Sequence, residues 1–165
     1  MLPFLAMPVR WCAVGVYASL AAEGVAADAV LPYDLDREPV LYTVSTAHLD
    51  TQWRWSIQDT ILRFLPDTLH TNFARFEQSP NYVFSFEGAF RYMLIREYYP
   101  EEYERMKEYI ALGRWRVAGS SVDAGDVNVV SPESLVQQVL YGNGYFRREF
   151  GVTSLDIFLP DCFGF

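Results

Sequence analysis

The sequence is poor in the residues that staple or charge small proteins. Its 165 residues include only two cysteines and two histidines, and 13 Lys+Arg against 21 Asp+Glu give a formal charge of −8. Cys12 and Cys162 stand at opposite ends of the chain, and neither has a Cys or His at metal-ligand spacing beside it. A disulfide framework and a zinc finger are thereby excluded. No Lys/Arg cluster is present, so the electrostatic footprint of a nucleic-acid binder is missing and an anionic membrane surface is disfavoured. No nucleic-acid or membrane partner is expected. Repeats, charge blocks and low-complexity tracts are absent too. What is there is apolar: 51% hydrophobic and 16% aromatic content excludes a disordered chain and suffices for the core of one domain.

Read from Met7, a short basic segment ends at Arg10, an apolar run extends from Trp11 to Ala22, and small residues follow at Ala27 and Ala29. This is the pattern of a secretory leader over residues 1–29, and the run is too short for a transmembrane helix. The expected localisation is secreted or periplasmic if the leader operates, and cytoplasmic otherwise. Residues 30–39, with Pro32, Pro39 and several acidic side chains, read as a linker, so folding is expected over 40–165.

Within that part, Val40–Ser45, Tyr82–Phe86, Trp115–Ala118 and Leu155–Leu159 are β-branched or aromatic runs that read as buried strands. Helical patterns lie between them at Ser56–Glu77 with a break at Pro66, Gly88–Tyr98, Glu101–Leu112 and Pro132–Phe150. Ser131 and Pro132 make a helix start, while Gly113 and Gly151 suit helix ends that need a left-handed residue. The alternation predicts an α/β fold with parallel strands, an open sheet or part of a barrel, with chemistry at the strands' carboxyl ends.

After the first strand comes His48-Leu49-Asp50-Thr51-Gln52-Trp53. Residues two apart on an extended chain face the same way, so His48 and Asp50 project together. They are either ligands for one divalent ion, with zinc suited to the mixed donors, or a hydrogen-bonded pair without metal. After the third strand, the loop from Gly119 to Asn128 carries Asp123, Asp126 and Asn128, groups suited to binding hydroxyls, with Asp126 the substrate-binding candidate; equally, it is a polar loop eased by glycine. After the fourth comes Leu159-Pro160-Asp161-Cys162-Phe163-Gly164, where Asp161 is either a catalytic carboxylate or a turn residue beside Gly164. Cys162 reads as a packing residue, Glu87, Gly88 and Arg91 as a helix start, and His70 as a surface histidine.

Taken in order, these segments resemble glycoside hydrolase family 38, the zinc-dependent α-mannosidases. The resemblance starts at His48-Leu49-Asp50-Thr51-Gln52-Trp53, continues through Ser85-Phe86-Glu87-Gly88, Gly113-Arg114-Trp115-Arg116-Val117, Gly119, Glu133-Ser134-Leu135-Val136, Leu140-Tyr141-Gly142, Phe146 and Glu149-Phe150-Gly151, and closes on Leu159-Pro160-Asp161-Cys162-Phe163-Gly164. It implies an incomplete seven-stranded parallel β/α barrel-like domain with about its first four strands present. It further implies that His48, Asp50 and Asp161 are zinc ligands, that Asp161 is also the nucleophile, and that Trp53 forms part of the sugar platform. The substrate implied is an α-mannoside glycan, hydrolysed with retention of configuration. The family's second histidine ligand and general acid have no match in this sequence. The chain is thus expected to be the amino-terminal part of a longer enzyme, inactive alone, with the carboxy-terminal part of that enzyme as its partner. Two rival functions remain at this stage, a metal-dependent carbohydrate esterase or deacetylase and a non-catalytic carbohydrate-binding fragment.

Overall fold

A computed structural model describes residues 43–163. The expected leader and linker, Cys12, residues 40–42 of the expected first strand, and Gly164 lie outside the described residues. The order of elements is β1 (Ser45–Ala47), α1 (Ile57–Asp59), a π-helical turn (Thr60–Phe64), α2 (Leu65–Gln78), β2 (Phe84–Glu87), α3 (Ala89–Tyr98), α4 (Pro100–Ala111), β3 (Trp115–Ala118) and α5 (Pro132–Phe150). The strands form one parallel sheet in the order β1-β2-β3. Ala47 pairs with Phe86, and Phe86 in turn with Val117. All three strands therefore point the same way, and the loops that follow them emerge at one edge.

Aromatic side chains fill the core. Phe84, Phe86, Trp115 and Val117 alternate with the half-buried Ser85 and Arg116, the period of two that a strand imposes. Trp115, 1% exposed, is ringed by Phe73 and Phe76 of α2 and by Phe84 and Phe86 of β2, at centroid distances of 5.0 to 6.2 Å. Its indole N–H donates to the Tyr92 hydroxyl at 3.0 Å, which donates to the Phe86 carbonyl at 2.8 Å, so polar atoms inside the cluster are satisfied. Among the described residues no helix is long and apolar enough to cross a membrane.

Two local expectations are corrected. Pro66 does not break the second segment; the helix continues through it, and the irregularity is the π-helical turn just before, where the Leu65 amide reaches back to Thr60. A proline lacks the amide donor and crowds the preceding turn, and the widened turn accommodates both. Leu155–Leu159 forms no strand. Bonds between side chains and backbone take the place of a ladder: Asp156 Oδ2 accepts from the Gly119 amide at 2.9 Å, the Ser120 hydroxyl donates to the Asp156 carbonyl at 2.6 Å, and Asn143 on α5 holds Ser154 through 2.8 and 3.0 Å bonds. Leu155 and Ile157 are left 69% exposed, whereas a strand in a parallel sheet would bury both faces. The sheet of the described residues thus has three strands, not four.

Tyr92, Tyr103 and Tyr145 have their phenols pushed above the ordinary value of 10.0, with burial the largest cause in each. Their folded pKa exceeds the unfolded one, so the stability they contribute is present below about pH 10 and lost as pH rises above it. Alkaline unfolding should therefore begin above about pH 10, with part of the tyrosinate absorbance appearing only as near-ultraviolet circular dichroism is lost. Absorbance that reached its full value while the dichroism persisted would contradict this assignment of the core.

Candidate active site

The site begins where β1 ends. Just past the strand Leu49 is 9% exposed, while His48 and Asp50 on either side of it bring their side chains to the cavity. His48 Nε2 lies 3.2 Å from Asp50 Oδ1 and 3.9 Å from Asp161 Oδ2. One donor atom from each of these residues falls within 4.8 Å of the other two. His48, Asp50, Asp126, Asp161 and Cys162 line a cavity of about 190 Å³, together with Phe158, Leu159 and Pro160 from the segment after α5. The Asp161 side chain is 55% exposed, so a solute can reach its carboxylate.

On its other side His48 meets a group that sequence reasoning assigned elsewhere. The register pairing Ala47 with Phe86, carried one residue further, sets His48 beside Glu87. Glu87 Oε1 lies 2.6 Å from His48 Nδ1, and the glutamate is only 2% exposed. Burial pushes the Glu87 carboxyl above its ordinary value, opposed by the hydrogen bond to His48 and the charge of Arg91. When Glu87 is ionised it can only accept, which makes Nδ1 the donor and leaves Nε2, on the side of Asp50 and Asp161, without a proton. Three acceptors placed so are the kind of set that a divalent cation can bridge. The donor set suits zinc, which accepts imidazole nitrogen together with carboxylate oxygen, and its three donor atoms lie within 4.8 Å of one another.

Arg91, in the first turn of α3, is fully buried and ties the surrounding loops together. Its Nε donates to the Leu49 carbonyl at 2.6 Å, and Nη1 lies 2.9 Å from Asp123 Oδ1. Asp123 Oδ2 accepts from the Thr51 hydroxyl at 2.6 Å. Asp123 is thus a structural carboxylate that joins the loops after β1 and β3. Gly88, at φ +77°, turns the chain from β2 into α3, and a Cβ there would collide with Arg91 Nη1. The first amides of α3 donate to Ser121 and Val122 carbonyls at 3.0 and 2.8 Å, so the loop after β3 caps the helix.

The remaining candidates divide. Asp126 lines the cavity, but its Oδ1 also accepts from the Asn128 amide at 2.9 Å, the turn-forming role. Asn128 binds the Phe163 carbonyl. Trp53 is 64% exposed and does not line the cavity; its ring stands edge-to-face with Trp55 at 5.8 Å, and the Arg54 guanidinium lies 4.5 Å from it. Cys162 faces the cavity and donates to the Gly125 carbonyl at 3.3 Å. His70 is a surface residue 3.7 Å from Glu102.

Residues 38–165 match the glycosyl hydrolases family 38 N-terminal domain. The chain belongs to that family. It is 34% identical over 125 residues to alpha-mannosidase G of Dictyostelium discoideum, an overlap covering 76% of this chain and 11% of that protein. It is 27% identical over 130 residues to alpha-mannosidase 2C1 of Homo sapiens, covering 79% and 12%. An alpha-mannosidase of Saccharomyces cerevisiae is 27% identical over 126 residues, covering 76% and 12%. The chain therefore spans 11–12% of the length of these relatives. The family 38 match takes in the whole cavity lining, from His48 to Cys162.

Glu87 and Arg91, which contact His48 and the backbone beside it, were legible in the sequence only as a helix start. Glu87 closes an aromatic strand and sits beside a glycine, an ordinary place for a helix-flanking acid. A glutamate directly after a strand expected to be buried is, however, a signal in itself, because buried carboxylates require a partner.

Proposed function

We propose that this segment supplies the nucleophile and three metal ligands of a zinc-dependent, retaining α-mannosidase. Polypeptide outside these 165 residues would supply the general acid and a second histidine ligand. The observation that carries the reading is the convergence of His48, Asp50 and Asp161 at the carboxyl end of a parallel sheet, in a cavity open to solute. The alpha-mannosidase relatives support the choice of substrate class. His48 Nε2, Asp50 and Asp161 would hold the metal. Zinc, when bound, supplies a Lewis-acid pole that hydroxyl groups can coordinate.

The exposed Asp161 carboxylate attacks the anomeric carbon as the glycosidic bond breaks, through an oxocarbenium-like transition state, and a glycosyl ester forms. Water then attacks from the face that the aglycone has vacated, opposite Asp161, and displaces its carboxylate, so that the two inversions give net retention. Asp126 offers a carboxylate oxygen to a sugar hydroxyl, and Trp53 an apolar ring to a C–H face.

Aryl α-mannoside and aryl acetate substrates, given to the enzyme that contains this segment, test the reading. The mannoside should be cleaved and the first sugar released should be the α-anomer, seen by NMR before mutarotation. Nitrophenol released from the acetate alone would instead mean a metal-dependent esterase. Trp53→Ala should raise KM about fivefold with kcat and zinc content unchanged, since stacking contributes about 1 kcal/mol. An unchanged KM would remove Trp53 from the substrate site.

A further inference from the structure

We infer that Glu87 is the positioning residue that fixes the tautomer and direction of His48, so that Nε2 faces Asp50 and Asp161. The inference rests on the metal-site reading above and adds to it a residue that touches neither metal nor substrate. Glu87 comes from a different strand than His48, and parallel register sets the two side by side. The 2.6 Å contact to Nδ1 is made from a side chain 3% exposed, against 25% for His48, so the anchor is dry and the anchored ring faces the cavity.

The anchor has little room to move. The backbone at Gly119 passes so near that a Cβ there would lie 3.3 Å from Glu87 Cβ. Behind the ligand strand, Arg91 holds the Leu49 carbonyl at 2.6 Å, fixing the backbone between His48 and Asp50. A buried carboxylate facing an imidazole is a poor device for stability, because desolvating a charge offsets the attraction gained. It is an effective device for orientation: a carboxylate on the outer nitrogen of a ligating histidine sets its tautomer, and removing such a partner typically lowers metal affinity about 10–100-fold.

The test uses the 165-residue chain with Glu87→Ala and Glu87→Gln, Co²⁺ as the metal probe and ¹⁵N NMR of the imidazoles, with circular dichroism to check folding. In the wild-type chain the metal-free His48 should carry its proton on Nδ1. Glu87→Ala should lose that preference and bind Co²⁺ about 10–100-fold more weakly, with altered visible bands. Glu87→Gln, which keeps an acceptor at Nδ1, should restore much of both. A folded Glu87→Ala variant with unchanged tautomer and unchanged Co²⁺ affinity would overturn the inference. If the wild-type chain took up no Co²⁺ while Glu87→Ala still shifted the tautomer, the metal site would fall and Glu87 would stand as the residue that orients His48.

Discussion

Asp161→Asn is expected to lower kcat on an aryl α-mannoside by about 10³-fold or more in the enzyme that contains this segment. Asparagine keeps the size of the side chain and loses its charge. A neutral amide is a weak nucleophile towards the anomeric carbon and a poorer partner for a cation beside His48, so two roles fail in one substitution. The structure makes replacement by a neighbour difficult. Asp50 Oδ1 is engaged 3.2 Å from His48, and Asp126 Oδ1 accepts from the Asn128 amide, which leaves Asp161, 55% exposed, as the most accessible of the three carboxylates. Turnover should be measured together with metal content. Near-normal kcat in Asp161→Asn would make Asp161 a turn residue and remove the proposed mechanism.

Gly142→Ala and Gly144→Ala should change stability in opposite directions, although the two glycines share helix α5. Alanine is favoured over glycine inside a helix by about 1 kcal/mol at either position. At Gly144 nothing lies within 4 Å of the added methyl, so that gain should appear as a Tm rise of about 2–4 °C. At Gly142 the added Cβ would lie 2.7 Å from the Ser121 carbonyl oxygen and would overlap the Ser120 carbonyl oxygen as well. These are backbone atoms and cannot rotate away. Overpacking costs about 1–3 kcal/mol and more against a rigid neighbour, so it outweighs propensity and Tm should fall by several degrees. The disturbance would also reach function, since Ser120 and Ser121 begin the loop that carries Asp123 and Asp126. A thermal melt of both variants decides the matter; a stabilised Gly142→Ala would mean that α5 does not pack against this loop as described.

What the sequence determined by itself was local. The strand at Trp115–Ala118 and the limits of α5 between Ser131 and Gly151 could be read directly, and the second strand was read as Tyr82–Phe86 where Phe84–Glu87 forms, because alternation, a capping hydroxyl and a left-handed glycine act within a few residues. The common direction of His48 and Asp50 was legible for the same reason. The tertiary structure decided what depends on register and on distant partners. Asp161 comes near His48 only because the segment after α5 is tied by Asp156 and Ser154 to the end of β3, and those same bonds keep Leu155–Leu159 out of the sheet. Glu87 became part of the site because pairing Ala47 with Phe86 sets it beside His48, and Arg91 became a buried clamp because Leu49, Thr51 and Asp123 converge around it. A side chain's identity states which partners it can accept, and only the packing of strands and loops far apart in the chain chooses among them.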